Sequence, residues 1–172
     1  MFRLFTAALV AGLSSFASPA FAHVTLEVQQ AAVPSTYKAV LRVGHGCGTS
    51  PTVKLRVQIP DGVINVKPMP KPGWTLTTTS RRYGKTHEYY GTPLAEGVRE
   101  IVWSGKLPDD RYDEFVFRAF LTEDLKPGET LYFPVVQECA KGANRWTEIP
   151  ATGQDAHDLT HPAAGLKLLA KP

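Results

Sequence analysis

The sequence has no apolar run long enough to cross a bilayer, no basic tract interleaved with aromatics, only two cysteines, and no stretch of a dozen residues with a helical apolar stripe. Each absence closes off a class. A membrane helix needs about 20 consecutive apolar residues, and the longest candidate, Leu4–Leu13, falls well short. Nothing in the chain is suited to track a phosphate backbone, so nucleic acid is not an expected partner. The G-x-S-x-G elbow, the Walker loop, G-x-G-x-x-G and C-x-x-C are all missing. Hydrolase and nucleotide chemistry therefore have no motif behind them.

What is present begins with an export signal. Arg3 supplies a basic start, Leu4–Leu13 an apolar core, and Ala20-Phe21-Ala22 the A-x-A exit of a signal peptidase site. Residues 1–22 are thus expected to be removed between Ala22 and His23. A single domain of 172 − 22 = 150 residues would remain, spanning 23–172, without a membrane span and located in the periplasm or secreted. Loss of Arg3 lowers the formal net charge from +3 to +2. Both cysteines, Cys47 and Cys139, fall in the exported part, where an oxidising compartment favours a disulfide between them. Such a bridge would bring Gly44–Cys47 beside Glu138-Cys139.

Period-two alternation with β-branched and aromatic enrichment dominates the remainder. Strands are expected at Val24–Gln29, Tyr37–Val43, Thr52–Ile59, Val63–Val66, Trp74–Thr79, His87–Tyr90, Arg99–Trp103, Glu114–Leu121, Thr130–Val136, Trp146–Ile149 and Leu166–Leu169. Pro60-Asp61-Gly62, Pro70-Lys71-Pro72-Gly73, Pro108-Asp109-Asp110 and Lys126-Pro127-Gly128 punctuate them. Many short strands at this spacing predict an all-β, two-sheet antiparallel sandwich. Leu55–Ile59 alternates as a half-buried strand, whereas Phe115–Leu121 is apolar enough to be covered on both faces. Ala151–Ala164 is polar and reads as a long loop before a final edge strand.

Chemistry can be sought first at His23. An N-terminal histidine carries a free amine and an imidazole on one residue, so it can chelate a metal through the amine nitrogen and Nδ1. The amine, with a pKa of about 8, releases its proton readily to a strongly binding ion. Nitrogen-rich tetragonal donors suit Cu(II). The competing explanation is that cleavage merely happens to precede a histidine. His45, in Gly44-His45-Gly46-Cys47, could supply a third nitrogen from a rigid, open backbone, or it could be an ordinary loop histidine. Near the other cysteine, Glu138 could complete the site or orient a ligand imidazole from outside it, and Trp146 could shield the metal or simply fill the core. His157 and His161 have i, i+4 spacing, but Pro162 and polar neighbours put them in a loop where the spacing carries little weight. His87 reads as a surface strand residue, and Asp109, Asp110, Asp113 and Glu114 as a solvated acidic turn.

Several motifs, in order, resemble the YcnI-like periplasmic or extracellular copper-binding domains. They are His23-Val24-Thr25 after the cleavage site, Pro60-Asp61-Gly62-Val63, Pro70-Lys71-Pro72-Gly73-Trp74, Ile101-Val102-Trp103-Ser104-Gly105, Asp113-Glu114-Phe115-Val116-Phe117 and Arg145-Trp146-Thr147-Glu148. The resemblance implies a fibronectin type III-like or cupredoxin-like sandwich that holds Cu(II) in a brace built on the mature N-terminal histidine. It assigns the amine and Nδ1 of His23 as ligands and places Trp146 close to the metal. The family's acidic ligand has no counterpart, because the matching strand end reads Gly44-His45-Gly46-Cys47. His45 is the expected replacement.

A non-enzymatic copper-binding protein follows as the leading expectation, one that buffers, carries or delivers copper. Its partners would be the copper ion and a membrane copper transporter or another periplasmic copper chaperone. Two other classes stay open: a histidine-brace copper oxygenase acting on a polysaccharide, and a metal-free structural or adhesion sandwich.

Overall fold

The structure is a computed structural model that describes residues 23–171. The expected signal peptide, with Ala22 of its cleavage site, lies outside the described residues.

Alternation builds the strands as their sequences dictate. In Ser35–Val43 (β3), Tyr37, Ala39, Leu41 and Val43 turn inward, and in Thr52–Gln58 (β4), Leu55 and Val57 do so while Gln58 faces solvent. Asp113–Leu121 (β8) buries Phe115, Phe117, Ala119 and Leu121. Its other face is wetter than its apolar sequence suggests, with Arg118 exposed and Val116 and Phe120 half-buried. Thr25–Leu26 (β1), β3, β8 and Val63–Pro68 (β5) hydrogen-bond in the order β1-β3-β8-β5.

A second sheet runs β11-β10-β4-β7-β6, from Ala143–Trp146 (β11) and Val135–Cys139 (β10) through β4 to Thr92–Leu107 (β7) and Thr75–Tyr89 (β6). Core side chains of both sheets interdigitate: Trp103 of β7 meets Phe115 of β8 with ring centroids 5.6 Å apart and donates its indole N–H to the Met69 carbonyl. The chain is therefore an all-β sandwich, as the punctuation of short strands predicts.

A smaller third sheet, β2-β12-β9, adds to the two expected. It joins Gln30–Val33 (β2), Ala164–Ala170 (β12) and Thr130–Phe133 (β9), and β2 pairs with β12 in parallel. The last strand is thus central in its sheet, where an edge position was expected. The expected strand Thr130–Val136 is split at Pro134. Proline has no N–H for the ladder, and the chain leaves β9 and enters β10 there. Trp74–Thr79, His87–Tyr90 and Arg99–Trp103 are parts of one long hairpin, β6–β7, closed by Tyr90-Gly91 with φ of 50° and 77°. Positive φ at both central residues is the turn geometry that matches strand twist. The polar run Ser80–Thr86 hides this hairpin, because only Tyr83 of it is buried and its pairing with β7 is interrupted by register shifts after Thr79 and between Arg82 and His87.

Candidate metal centre

Register brings the first residues to the β3–β4 loop. Thr25 pairs with Arg42 and Leu26 with Leu41, and continuing that antiparallel register carries His23 to the level of Gly44, beside His45. The loop is fastened on several sides. Cys47 and Cys139 form a disulfide with Cα atoms 6.0 Å apart, so the pairing expected from two exported cysteines is the one observed. Asp109 Oδ1 accepts the Gly46 N–H at 2.8 Å, which gives one member of the expected solvated turn a structural task. Gly46 also permits a close backbone approach: a Cβ there would come within 1.9 Å of the Ser50 carbonyl oxygen.

The key connector is Gln137, which the sequence did not single out. Its amide donates to the His45 carbonyl at 2.6 Å and to Thr52 Oγ1 at 2.7 Å, and its carbonyl oxygen accepts the Trp146 indole N–H at 3.0 Å. Gln137 is buried, and β10 alternation turns it to the same face as Val135 and Cys139. A buried amide with both ends satisfied fixes its neighbours. A glutamine between two valines and a cysteine on a buried strand face was the available signal.

Trp146 is packed between the two histidine-bearing segments. Its ring centroid lies 5.3 Å from that of His23 and 5.2 Å from that of His161. His161 is fastened through its backbone: its N–H donates to Glu148 Oε2 at 2.7 Å, and its carbonyl accepts from Thr147 and Glu148. The expected loop 151–164 is thereby tied to the end of β11. It contains a single 3₁₀ turn, Ala156–Asp158, where Asp155 Oδ1 accepts the His157 N–H at 2.9 Å.

His23 has its pKa lowered, first by burial and then by the charges of His157, His161 and His45 in that order. A neutral imidazole near pH 7 is the form that binds a metal. His45 places Nδ1 2.5 Å from the Gly46 carbonyl. That contact suits a proton on Nδ1, which leaves the Nε2 lone pair for a ligand.

Glu138 does not join this group. Strand alternation puts it on the face opposite Gln137, where Lys54 and Arg56 hold its oxygens at 3.1 and 3.2 Å. Burial pushes its pKa upward, but the hydrogen bonds and charges of Lys54 and Arg56 outweigh that and leave it lowered. The expectation that Glu138 would orient or complete the site is corrected on these grounds. His87, expected on the surface, instead packs its ring against Tyr83 and faces Asp124, and Asp113 pairs with Lys71 at 2.6 Å.

The donors gathered here are imidazoles, while the nearby carboxylates Glu138 and Glu148 are engaged elsewhere. Among the described residues, no three His, Cys, Asp or Glu side chains converge in a ready-made metal-binding group. Cu(II) binding here would need the free amine of a chain that begins at His23 in addition to the imidazoles of His23 and His45.

A family model described as "Domain of unknown function (DUF1775)" matches residues 23–168. No curated protein matches the chain. Among solved structures, the chain is similar to an uncharacterized protein from Nocardia farcinica whose crystal structure reveals an immunoglobulin-like fold. The TM-score is 0.62 at 23% identity, covering 86% of this chain and 98% of that one. At that identity the likeness speaks to the fold alone, and it agrees with the sandwich described above.

Proposed function

This chain belongs to the DUF1775 family, the same family its motifs resemble, and from that premise we propose that it is an exported, non-enzymatic copper-binding protein. It holds Cu(II) at a brace anchored on His23 and serves copper buffering, trafficking or delivery. The amine and Nδ1 of His23 are two ligands, and His45 Nε2 is a third. Trp146 lies against the His23 ring and closes the site on its protein side.

The observation that carries this reading is the shared framework of the two histidines. Trp146 packs on the His23 ring, and Gln137 links the Trp146 indole to the His45 backbone. Two histidines 22 positions apart in sequence (45 − 23) are thus referenced to one buried amide. Preorganised donors lose less conformational freedom on binding, and the lowered His23 pKa favours the neutral ring. The family match begins at His23, which agrees with a mature chain that starts there. A membrane copper transporter or another copper chaperone outside the cytoplasm would exchange copper with this site.

Calorimetric titration of the processed protein, beginning at His23, tests the reading. One equivalent of Cu(II) should bind tightly. A chain carrying one additional residue before His23 loses the free amine of the chelate and should bind at least tenfold more weakly. Equal affinity of the two would overturn the brace.

A further inference from the structure

We propose that the tip of the β6–β7 hairpin forms, with Phe120 of β8, an aromatic cage for a quaternary ammonium group, and that its ligand is a small zwitterion of the glycine betaine or phosphocholine kind. The site shares no lining residue with the cavity at His23, and it does not depend on the copper reading.

Three rings converge there. Tyr89 ends β6 and Tyr90 opens the turn that closes the hairpin, yet both reach Phe120 on the outward face of the other sheet, with centroid distances of 5.3 and 6.2 Å. The two tyrosine centroids are 4.8 Å apart, and the three ring planes meet at 62° to 83°. Planes this steep make walls rather than a stack, and the three rings line a cavity of about 270 Å³. Asp124 fastens the hairpin by pairing with Lys85 at 2.6 Å and facing His87 Nδ1 at 3.5 Å. Tyr90 has a φ of 50°, in a turn position that favours asparagine, aspartate or glycine. A bulky residue is uncommon at such a φ, and this one is 83% exposed. Neither turn chemistry nor core packing accounts for it.

Charge selects the ligand. Glu88 and Lys171 line the same cavity, and among the described residues neither pairs with an opposite charge. The aliphatic hydroxyls of the lining are engaged: Ser35 donates to the Ala32 carbonyl at 2.5 Å, and Thr36 Oγ1 accepts from Arg118 at 3.4 Å. A sugar, which needs many hydroxyl partners and one flat face to stack on, fits this lining poorly. A cation is drawn to the faces of aromatic rings, and Glu88 adds a negative charge beside them. Lys171 is left to meet an anionic group on the same ligand. One charge of each sign in the lining thus matches one of each in a zwitterion. A methylated ammonium is favoured over a primary one, because it gives up less hydration on entering a cavity walled by rings.

The test titrates the processed protein, beginning at His23 and free of copper, with glycine betaine and with phosphocholine, followed by amide chemical shifts in two-dimensional NMR. Saturable shifts should centre on Glu88, Tyr89, Tyr90 and Phe120. The compound 3,3-dimethylbutanoate, the carbon isostere of betaine without its positive charge, should bind about tenfold more weakly. Equal binding of the two would overturn the cage. Tyr90→Ala should weaken betaine about threefold or more, whereas Tyr90→Phe, which keeps a ring, should stay within about twofold of the parent. Because Tyr90 is exposed, neither change threatens the fold. Equal affinity of Tyr90→Ala and the parent would also overturn the proposal, as would shifts at these residues with an oligosaccharide but not with betaine. Phosphocholine is a lipid headgroup as well as a free compound, and sedimentation with phosphatidylcholine vesicles separates the two sources. Retention on vesicles that Tyr90→Ala abolishes places the cage at a lipid surface. Response to the free compounds without retention places it on a soluble ligand, and neither response overturns the proposal.

Discussion

The Trp146 indole N–H donates to Gln137 Oε1 at 3.0 Å, and the other end of the same amide holds the His45 carbonyl at 2.6 Å. One buried side chain therefore sets the position of both the aromatic wall and the loop that carries the second histidine. Without it, Trp146 could still be buried, and the loop would be held to these strands by the Cys47–Cys139 disulfide and by Asn144, which donates to the Gly46 carbonyl at 3.5 Å.

Gln137→Leu is expected to destabilise the fold by about 3 kcal/mol, because it leaves the Trp146 N–H, the His45 carbonyl and the Thr52 hydroxyl without this partner. For a domain of this size that corresponds to a Tm lower by roughly 6 to 12 °C. Thermal unfolding followed by circular dichroism measures it. A loss below about 1 kcal/mol would mean the amide is not the connector described.

Breaking the Cys47–Cys139 bridge acts on a loop of 92 residues. The chain-entropy treatment attributes about 4 to 5 kcal/mol to closing such a loop in the unfolded state. Cys47→Ala/Cys139→Ala should accordingly lower the urea midpoint by that equivalent, and it should weaken copper binding as well, since Gly46 and His45 lose one of their fastenings. Unaltered copper affinity would show that Asp109 and Gln137 suffice to hold the loop.

How much of this was legible in the sequence depends on where the information resides. Strand alternation in β3, β4 and β8 is local, and it is visible in Tyr37, Leu55, Phe115 and their neighbours. The disulfide was legible because two cysteines allow one pairing. The β6–β7 hairpin was not, because Ser80–Thr86 carries no apolar alternation and its pairing with β7 is broken by a register shift between Arg82 and His87. Gln137 and His161 were hidden for another reason: their importance comes from what the folded chain places beside them. Glu138 is the instructive case. Its proximity to Cys139 in sequence suggested the site, yet a one-residue step along a strand reverses the face, and the residue that points toward His45 is Gln137.

Glu138 should govern acid stability instead. Lys54 and Arg56 lower its pKa in the folded protein despite the opposing effect of burial. A carboxyl group with a depressed folded pKa adds stability that is complete above its ordinary value of 4.5 and disappears as pH falls through the folded value. Glu138→Gln should be less stable than the parent at pH 7 by about 1 kcal/mol or less, given the partial exposure of all three side chains. The two proteins should converge at low pH. Urea unfolding across pH 2 to 7 would reveal it, and a constant offset at all pH values would contradict the ion-pair account.

His45→Ala separates binding from folding more cleanly than any change at Gln137. Gln137 grips the His45 main-chain carbonyl, which alanine retains, and the Gly46 N–H still donates to Asp109. The variant should therefore unfold within about 1 kcal/mol of the parent, since a half-buried side chain is lost without stranding a buried polar group. Copper binding should respond very differently. Removing one ligand imidazole is expected to weaken Cu(II) affinity tenfold or more, equivalent to about 1.4 kcal/mol, and to change its paramagnetic spectrum. Glu138→Gln, altered on the opposite face of β10, should leave that spectrum unchanged. If His45→Ala and Glu138→Gln bound copper alike, the assignment of His45 in place of a carboxylate would be wrong, whatever the contribution of His23.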